Sequence, residues 1–219
     1  MPVALCFSNG LNNHGRMTKS DVDRMLIESA EPVFDAMIAE HQIVQADLAT
    51  TFRAARSLDF LTVRTPLLTT AMWLRGLPTR WSGHAAPTLP RLVVADGVGL
   101  PGWLLLGERP EREIVFGAVG KFWQPDIEWR EVAQADFAGF AEPGWGKIAA
   151  NFSVERYGEH ATLLSYQCRT VTTDPDSRQR FLRYWWLIRP FVAHIMRATV
   201  HTIRINAEAA AEQAKGRTE

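Results

Sequence analysis

The residue types most able to do chemistry in this 219-residue chain are its cysteines and histidines. Cys6 and Cys168 lie far apart in a pattern that matches no metal or redox motif, so we expect two free thiols in a reducing compartment. His194 and His201 share a helical face, but two helical turns separate them by roughly 10.5 Å, too far to share one zinc ion. The sequence therefore predicts no metal site and no cofactor.

Two further patterns resemble catalytic groups. Cys168 stands next to Arg169, a cation that could lower the pKa of a thiol, but neighbouring strand residues point to opposite faces and no base is identifiable. Asp174 and Asp176 could form an acid and base pair, yet they stand at a predicted helix start, where carboxylates accept hydrogen bonds from unpaired backbone N–H groups. We expect an inert buried thiol and a helix cap.

A glycine-rich stretch, residues 97–102, spells the GxGxxG of dinucleotide-binding sites. That fingerprint needs a following helix whose N-terminus holds the pyrophosphate. Pro101 and the strand-like residues 103–106 leave no such helix, so we expect a hairpin turn.

The overall charge excludes several classes of protein. Lys and Arg total 24, as do Asp and Glu, so the net charge is zero and no nucleic-acid partner is expected. Apolar residues make up 47% of the chain, but the longest apolar runs are far too short to span a bilayer. With no convincing secretion signal at the start, we predict a cytoplasmic protein without a transmembrane segment.

Hydrophobic periodicity predicts one early strand, two short helices after it, and a long final helix. The strand covers residues 37–46, Asp47 caps a helix at 48–57, and a second helix follows at 67–75. Pro175 begins the last helix, which runs to the C-terminus and is expected to kink at Pro190. A short helix is also expected at residues 136–140, within a long loop. The predicted antiparallel meander comprises residues 91–95, 103–108, 113–123, 147–156 and 162–172.

Four stretches match a known pattern: residues 73–78 (WLRGLP), 112–123 (REIVFGAVGKFW), 137–152 (FAGFAEPGWGKIAANF) and 174–190 (DPDSRQRFLRYWWLIRP). With the order of elements, they make the chain resemble a bacterial branch of the START-like (SRPBCC, helix-grip) superfamily over roughly residues 34–208. The resemblance implies an α+β fold, with a curved antiparallel sheet wrapped around the C-terminal helix and an apolar small molecule between them. Where that pattern has an acidic residue and a threonine, this chain has Gln167 and Cys168.

We accordingly divide the chain into a peripheral N-terminal arm (1–33), a helix-grip domain (34–208) and a polar C-terminal tail (209–219). Alternation along the strands and the apolar face of the last helix predict which side chains line the cavity. These candidate ligand-binding residues are Phe116, Phe122, Phe152, Leu164, Tyr166, Cys168, Tyr184, Trp185, Ile188 and Val192.

The leading hypothesis is binding of a hydrophobic small molecule, lipid-like or polyketide-like, with Tyr166 and Tyr184 as orienting hydroxyls. The alternative is a polyketide cyclase-like enzyme in which a tyrosine or arginine polarises a carbonyl. An inward Arg169 would favour the enzyme and an outward one would disfavour it. A third hypothesis is that the chain is an interaction module whose projecting C-terminal helix docks on a partner. The sequence leaves a monomer and a homodimer open.

Overall fold

The computed structural model describes residues 24–63, 93–94, 102–124 and 126–217. Three sequence predictions lie wholly or largely outside these ranges: the helix at 67–75, the strand at 91–95 and the glycine-rich stretch from residue 97. Of that stretch Gly102 is described, with φ +77°, and it leads directly into a strand. A strand at this point cannot present the helix N-terminus that a dinucleotide site requires.

In the described part of the chain, helices precede, interrupt and follow a six-stranded antiparallel sheet whose main path has the order β1-β6-β5-β3-β2, with β4 paired to β3. The elements are α1 (Leu26–Ala30), β1 (Ala36–Val44), α2 (Leu48–Arg56), a 3₁₀ turn (Phe60–Thr62), β2 (Trp103–Arg109), β3 (Glu113–Gly120), β4 (Trp129–Arg130), α3 (Gln134–Phe137), β5 (Gly146–Tyr157), β6 (Ala161–Thr172) and α4 (Pro175–Lys215).

The fold class predicted from the sequence is confirmed: an α+β protein with a curved antiparallel sheet and a long C-terminal helix. The two longest strands, β5 and β6, pair along their full length from Gly146↔Thr172 to Tyr157↔Ala161. A register shift between Leu105 and Gly107 in β2 marks a bulge, which bends a strand and increases its twist. The short strand β4 was not predicted, because two residues give no period to detect.

The long helix α4 begins where the sequence predicted. Asp174 precedes it in an extended conformation and accepts a hydrogen bond from the Ser177 backbone N–H at 2.9 Å, while Pro175 occupies the first turn. The helix then continues for 41 residues, and Pro190 lies inside it without interrupting it. Ala211, beyond the predicted start of the polar tail, still packs on the core.

One face of the sheet, the inner face, packs against α2 and the C-terminal half of α4. Strand residues such as Phe116, Phe152 and Leu164 meet Val200 and Ile203 of α4 there, and all five are buried. This is the sheet-on-helix arrangement of a helix grip. The strands that α4 contacts most are β1 and β6, at one side of the sheet.

The opposite, outer face is also covered, which sequence analysis missed. Ile27 of α1 and Phe137 of α3 pack against Val115, Val119 and Ala149 of the sheet. The signal was present in β3, whose sequence EIVFGAVG is apolar at both alternating sets of positions and is buried along its whole length. A strand apolar on both faces is typical of a sheet covered on both sides. Although α1 falls within the predicted peripheral arm, it belongs to this layer.

Candidate functional site

An aromatic cluster lies on the inner face, at the centre of the sheet. Phe116, Phe152 and Tyr166 stand on three adjacent strands, β3, β5 and β6. The Phe152 and Tyr166 ring centroids are 4.5 Å apart, and that of Phe116 lies 5.7 Å from Phe152 and 6.4 Å from Tyr166. The alternation rule brought these three predicted site residues together because same-face positions on paired strands are neighbours.

Two aromatic residues that sequence analysis did not assign to the site extend the cluster. Phe60, in the 3₁₀ turn, lies 6.1 Å from the Phe116 ring and 6.3 Å from the Phe152 ring. Trp103, the first residue of β2, lies 5.9 Å from Phe116. Phe60 could not be placed from sequence, since its position depends on the path of the chain after α2, but the alternation of β2 already puts Trp103 on the face of Leu105.

Phe122 lies at the far end of a row of rings rather than within the cluster. It contacts Trp129 at 5.8 Å, and Trp129 in turn lies 6.2 Å from Trp103. β3 ends at Gly120, so the alternation on which the placement of Phe122 was predicted no longer applies beyond that residue. Phe122 is buried, and ring contacts among the described residues link it to Phe116 through the two tryptophans.

Tyr166 and Cys168 are the polar groups of the inner face that adjoin the aromatic cluster. The Tyr166 hydroxyl makes no hydrogen bond to any described residue. Burial raises the pKa of Tyr166 far above its ordinary value, so the hydroxyl stays protonated and can donate. Burial also raises the pKa of the Cys168 thiol to about 12, with the charge of Glu31 adding to the effect, so this free thiol is not a nucleophile at neutral pH. Both residues nevertheless keep part of their surface accessible.

The four predicted site residues on α4 lie in its N-terminal half: Tyr184, Trp185, Ile188 and Val192. All are half-buried. Trp185 stacks on buried Phe181, with ring centroids 6.0 Å apart, so this face of α4 is apolar and partly covered. None of the four belongs to the inner core cluster that the described residues form, where α4 contributes residues from its C-terminal half. They extend the apolar face of α4 beyond the packed part.

Arg169 points to the outer face, away from Tyr166 and Cys168. Its guanidinium Nη1 donates to the backbone carbonyl of Glu31 at 2.8 Å and lies over the Phe34 ring, 5.0 Å from its centroid. The structure thus removes this arginine from the inner face, where the cyclase-like hypothesis needed it.

Buried charged side chains lie on the outer face beneath α1. Glu113 accepts hydrogen bonds from the backbone N–H groups of Leu26 and Ile27, the latter at 3.1 Å, and from Asn151 Nδ2 at 2.7 Å. The carboxylate therefore fastens the first turn of α1 to β3. Glu113 has a structural role, because the groups that surround it are the unpaired amides of a helix terminus.

Glu31, at the end of α1, is 1% exposed, and neither carboxyl oxygen has a hydrogen-bond partner among the described residues. Burial raises its pKa to about 9, although the charges of Lys147 and Arg169 act in the opposite direction. Burial likewise lowers the pKa of Lys147, whose Nζ donates to the Ala138 carbonyl at 2.9 Å. Lys147 thereby holds α3 against the sheet, and both side chains lie on the outer face.

Asp174 is a helix cap, as predicted. Its carboxylate accepts from the Ser177 N–H, the Ser177 hydroxyl at 2.6 Å and the Gly144 N–H at 2.6 Å. These hydrogen bonds lower the pKa of Asp174 to about 2.

Across the described ranges, no three His, Cys, Asp or Glu side chains are grouped closely enough to hold a metal ion. In those same ranges no helix has the length and apolarity needed to cross a membrane.

Comparison with known proteins finds distant structural likenesses. No family profile and no curated protein matches the chain. Solved structures similar to it include TTHA0849 from Thermus thermophilus, at 10% identity and a TM-score of 0.27 over 82% of this chain and 99% of that one. CalU16 from Micromonospora echinospora has 11% identity and a TM-score of 0.26, over 81% and 86% of the two chains. Ara h 8.0201 has 12% identity and a TM-score of 0.28, over 77% and 97%. Likenesses this distant carry no argument about this chain.

Proposed function

We propose that this protein binds a hydrophobic small molecule between the inner face of the sheet and α4. The observation that carries the proposal concerns Tyr166 and Cys168. Burial raises the pKa values of both groups, yet both keep accessible surface. Side chains far from bulk water pack completely unless they border an internal space. An internal space at these two residues, beside the fully packed rings of Phe116 and Phe152, would suit an apolar ligand.

The side chains of the aromatic cluster indicate how such a ligand would be held. The rings of Phe60, Trp103 and Tyr166 are only half-buried and offer flat apolar surface. Each Å² of ligand surface removed from water contributes roughly 25 cal/mol before association costs. The Tyr166 hydroxyl, protonated and without a described partner, supplies one donor for an oxygen of the ligand. We therefore expect an elongated or planar apolar molecule that carries at least one carbonyl or hydroxyl group.

The cyclase-like alternative is less well supported. Acid and base catalysis needs a group that can exchange a proton near neutral pH. Tyr166 and Cys168 have pKa values raised far above that range, and Arg169 lies on the outer face. Binding without turnover needs none of these groups to ionise.

Membership of the START-like superfamily and a cytoplasmic location remain predictions of the sequence.

Native mass spectrometry of the purified full-length chain tests the proposal. The intact mass is compared with the denatured mass, before and after incubation with a panel of apolar carbonyl compounds and fatty acids. We expect a one-to-one adduct that disappears on denaturation and weakens when Tyr166 is replaced by Phe. A mass that stays equal to that of the bare chain throughout would overturn the proposal. An adduct whose mass changes with time would instead favour the enzyme.

A further inference from the structure

We propose that the solvent face of α4 docks on an anionic lipid bilayer. Three large apolar side chains stand out from this face: Trp186 is 81% exposed, Leu187 71% and Leu182 38%. Trp186 and Leu182 are four residues apart, and so are Leu187 and Arg183, so the four side chains are neighbours on the helix surface. We call these four residues, with Arg180 and Arg189 at their rim, the Trp186 patch.

The charge around the Trp186 patch is one-sided. Residues 177–206 of α4 contain six arginines and no acidic residue, in a chain whose net charge is zero. Three of these arginines are neutralised: Arg178 by Asp35 at 2.8 Å, Arg197 by Glu40 at 3.0 Å and Arg204 by Glu208 at 2.8 Å.

The other three arginines, Arg180, Arg183 and Arg189, form no ion pair with any described residue, and all three are exposed. The cations that lack a partner are thus those that surround the exposed apolar side chains. This distribution favours approach of an anionic surface at the Trp186 patch.

A bilayer fits this combination of groups. Tryptophan is favoured at the boundary between headgroups and acyl chains, and leucines beside it insert shallowly. Arginines at the rim extend their charged ends toward lipid phosphates. A second copy of the chain fits less well, because a two-fold interface through this patch would set Arg183 close to the Arg183 of its partner. The proposal goes beyond ligand binding and does not depend on it.

Co-sedimentation with vesicles tests the proposal. The full-length chain is mixed with vesicles of phosphatidylcholine alone or of phosphatidylcholine with phosphatidylglycerol, at low and at high salt. We expect binding to the anionic vesicles only, weakened by salt because exposed charges are screened. Removing one arginine that lies near an anionic membrane surface lowers the affinity about fivefold, so Arg183→Glu should lower the affinity for the anionic vesicles at least about fivefold. Trp186→Ser should weaken binding by removing the inserted ring.

Matched controls lie outside the patch. Ile205→Ser removes another exposed apolar side chain of α4, and Arg156→Glu reverses another exposed arginine; both should bind as the unchanged chain does. Circular dichroism checks that each variant is folded. Equal binding to neutral vesicles, no binding to either kind, or unchanged binding by the two patch variants would overturn the proposal. So would a self-association, measured by analytical ultracentrifugation, that the patch variants abolish.

Discussion

Glu31 is an acidic residue whose side chain is almost completely buried. With its pKa raised to about 9 from 4.5, the folded state holds a proton that the unfolded state releases. The stabilising effect is fully present below about pH 4.5 and is lost as the pH rises toward 9. The folded protein should therefore become less stable across that window.

Replacing Glu31 with Gln should remove this dependence. The difference in the free energy of unfolding between Glu31→Gln and the unchanged chain should grow with pH, by at most about 1.4 kcal/mol per pH unit. Urea denaturation at several pH values between 5 and 9 measures it. Glu155→Gln, at an exposed position on β5, is the matched control and should leave the profile unchanged. Parallel profiles for Glu31→Gln and the unchanged chain would show that Glu31 ionises in the folded protein.

Cys168 gives a second prediction at this scale. A thiol with a pKa of about 12 holds very little thiolate at pH 8, and the thiolate is the form that reacts. In a Cys6→Ser variant, which leaves Cys168 as the single thiol, iodoacetamide should react with the folded protein about 100-fold or more slowly than with the urea-unfolded protein. Reaction at similar rates in the two states would contradict a desolvated Cys168 and remove the main support for an internal space.

At the scale of elements, local signals in the sequence were sufficient for most helix starts and strands. Asp47 and Asp174 cap α2 and α4 as predicted, and the alternation in β5 and β6 placed Phe152 and Tyr166 on one face. These signals are local, since a cap or an alternation depends on residues within one element. Phe60 joins the site through the path of the chain between elements, which no local pattern encodes.

The cap of α4 supports a direct test. Asp174→Ala should destabilise the protein by about 1–2 kcal/mol, because the Ser177 and Gly144 amides lose their acceptor. Asp176→Ala, two residues on and exposed, should cost much less. Chemical denaturation of both variants measures the difference. Equal losses would show that the capping bonds contribute nothing specific to the stability of the protein.

The contact between β3 and its neighbours tests the double-sided packing of the sheet. A Cβ atom added at Gly117 would lie 2.6 Å from the Ile148 carbonyl oxygen and 3.0 Å from the Phe137 ring. Gly117→Ala should therefore destabilise the protein by about 1–3 kcal/mol through overpacking. Gly139→Ala, where the nearest atom is 4.0 Å away, is the control and should be nearly neutral. A neutral Gly117→Ala would mean that α3 does not press on the outer face.

At the scale of the whole molecule, the sheet separates two kinds of packing. The core of the inner face is apolar and aromatic, while the outer face combines apolar contacts with the buried side chains of Glu31, Glu113 and Lys147. Sequence patterns predicted the inner face and missed the outer cover. A short helix near α3 was predicted, but neither α1 nor α3 is long enough for its pattern to show which face of the sheet it covers. Sequence patterns also placed Arg169 on the face opposite Cys168, which the structure bears out.

The central claim is that the inner face encloses space for an apolar molecule. The most direct test is a fluorescence titration with the uncharged probe N-phenyl-1-naphthylamine, comparing the unchanged chain with Cys168→Phe, which adds a ring on the inner face. Gln167→Phe adds the same ring on the outer face of the same strand and is the control. We predict saturable one-to-one binding by the unchanged chain and the control, and binding at least about tenfold weaker by Cys168→Phe with its thermal unfolding still cooperative. Equal binding by all three chains, or no saturable binding by the unchanged chain, would contradict the claim.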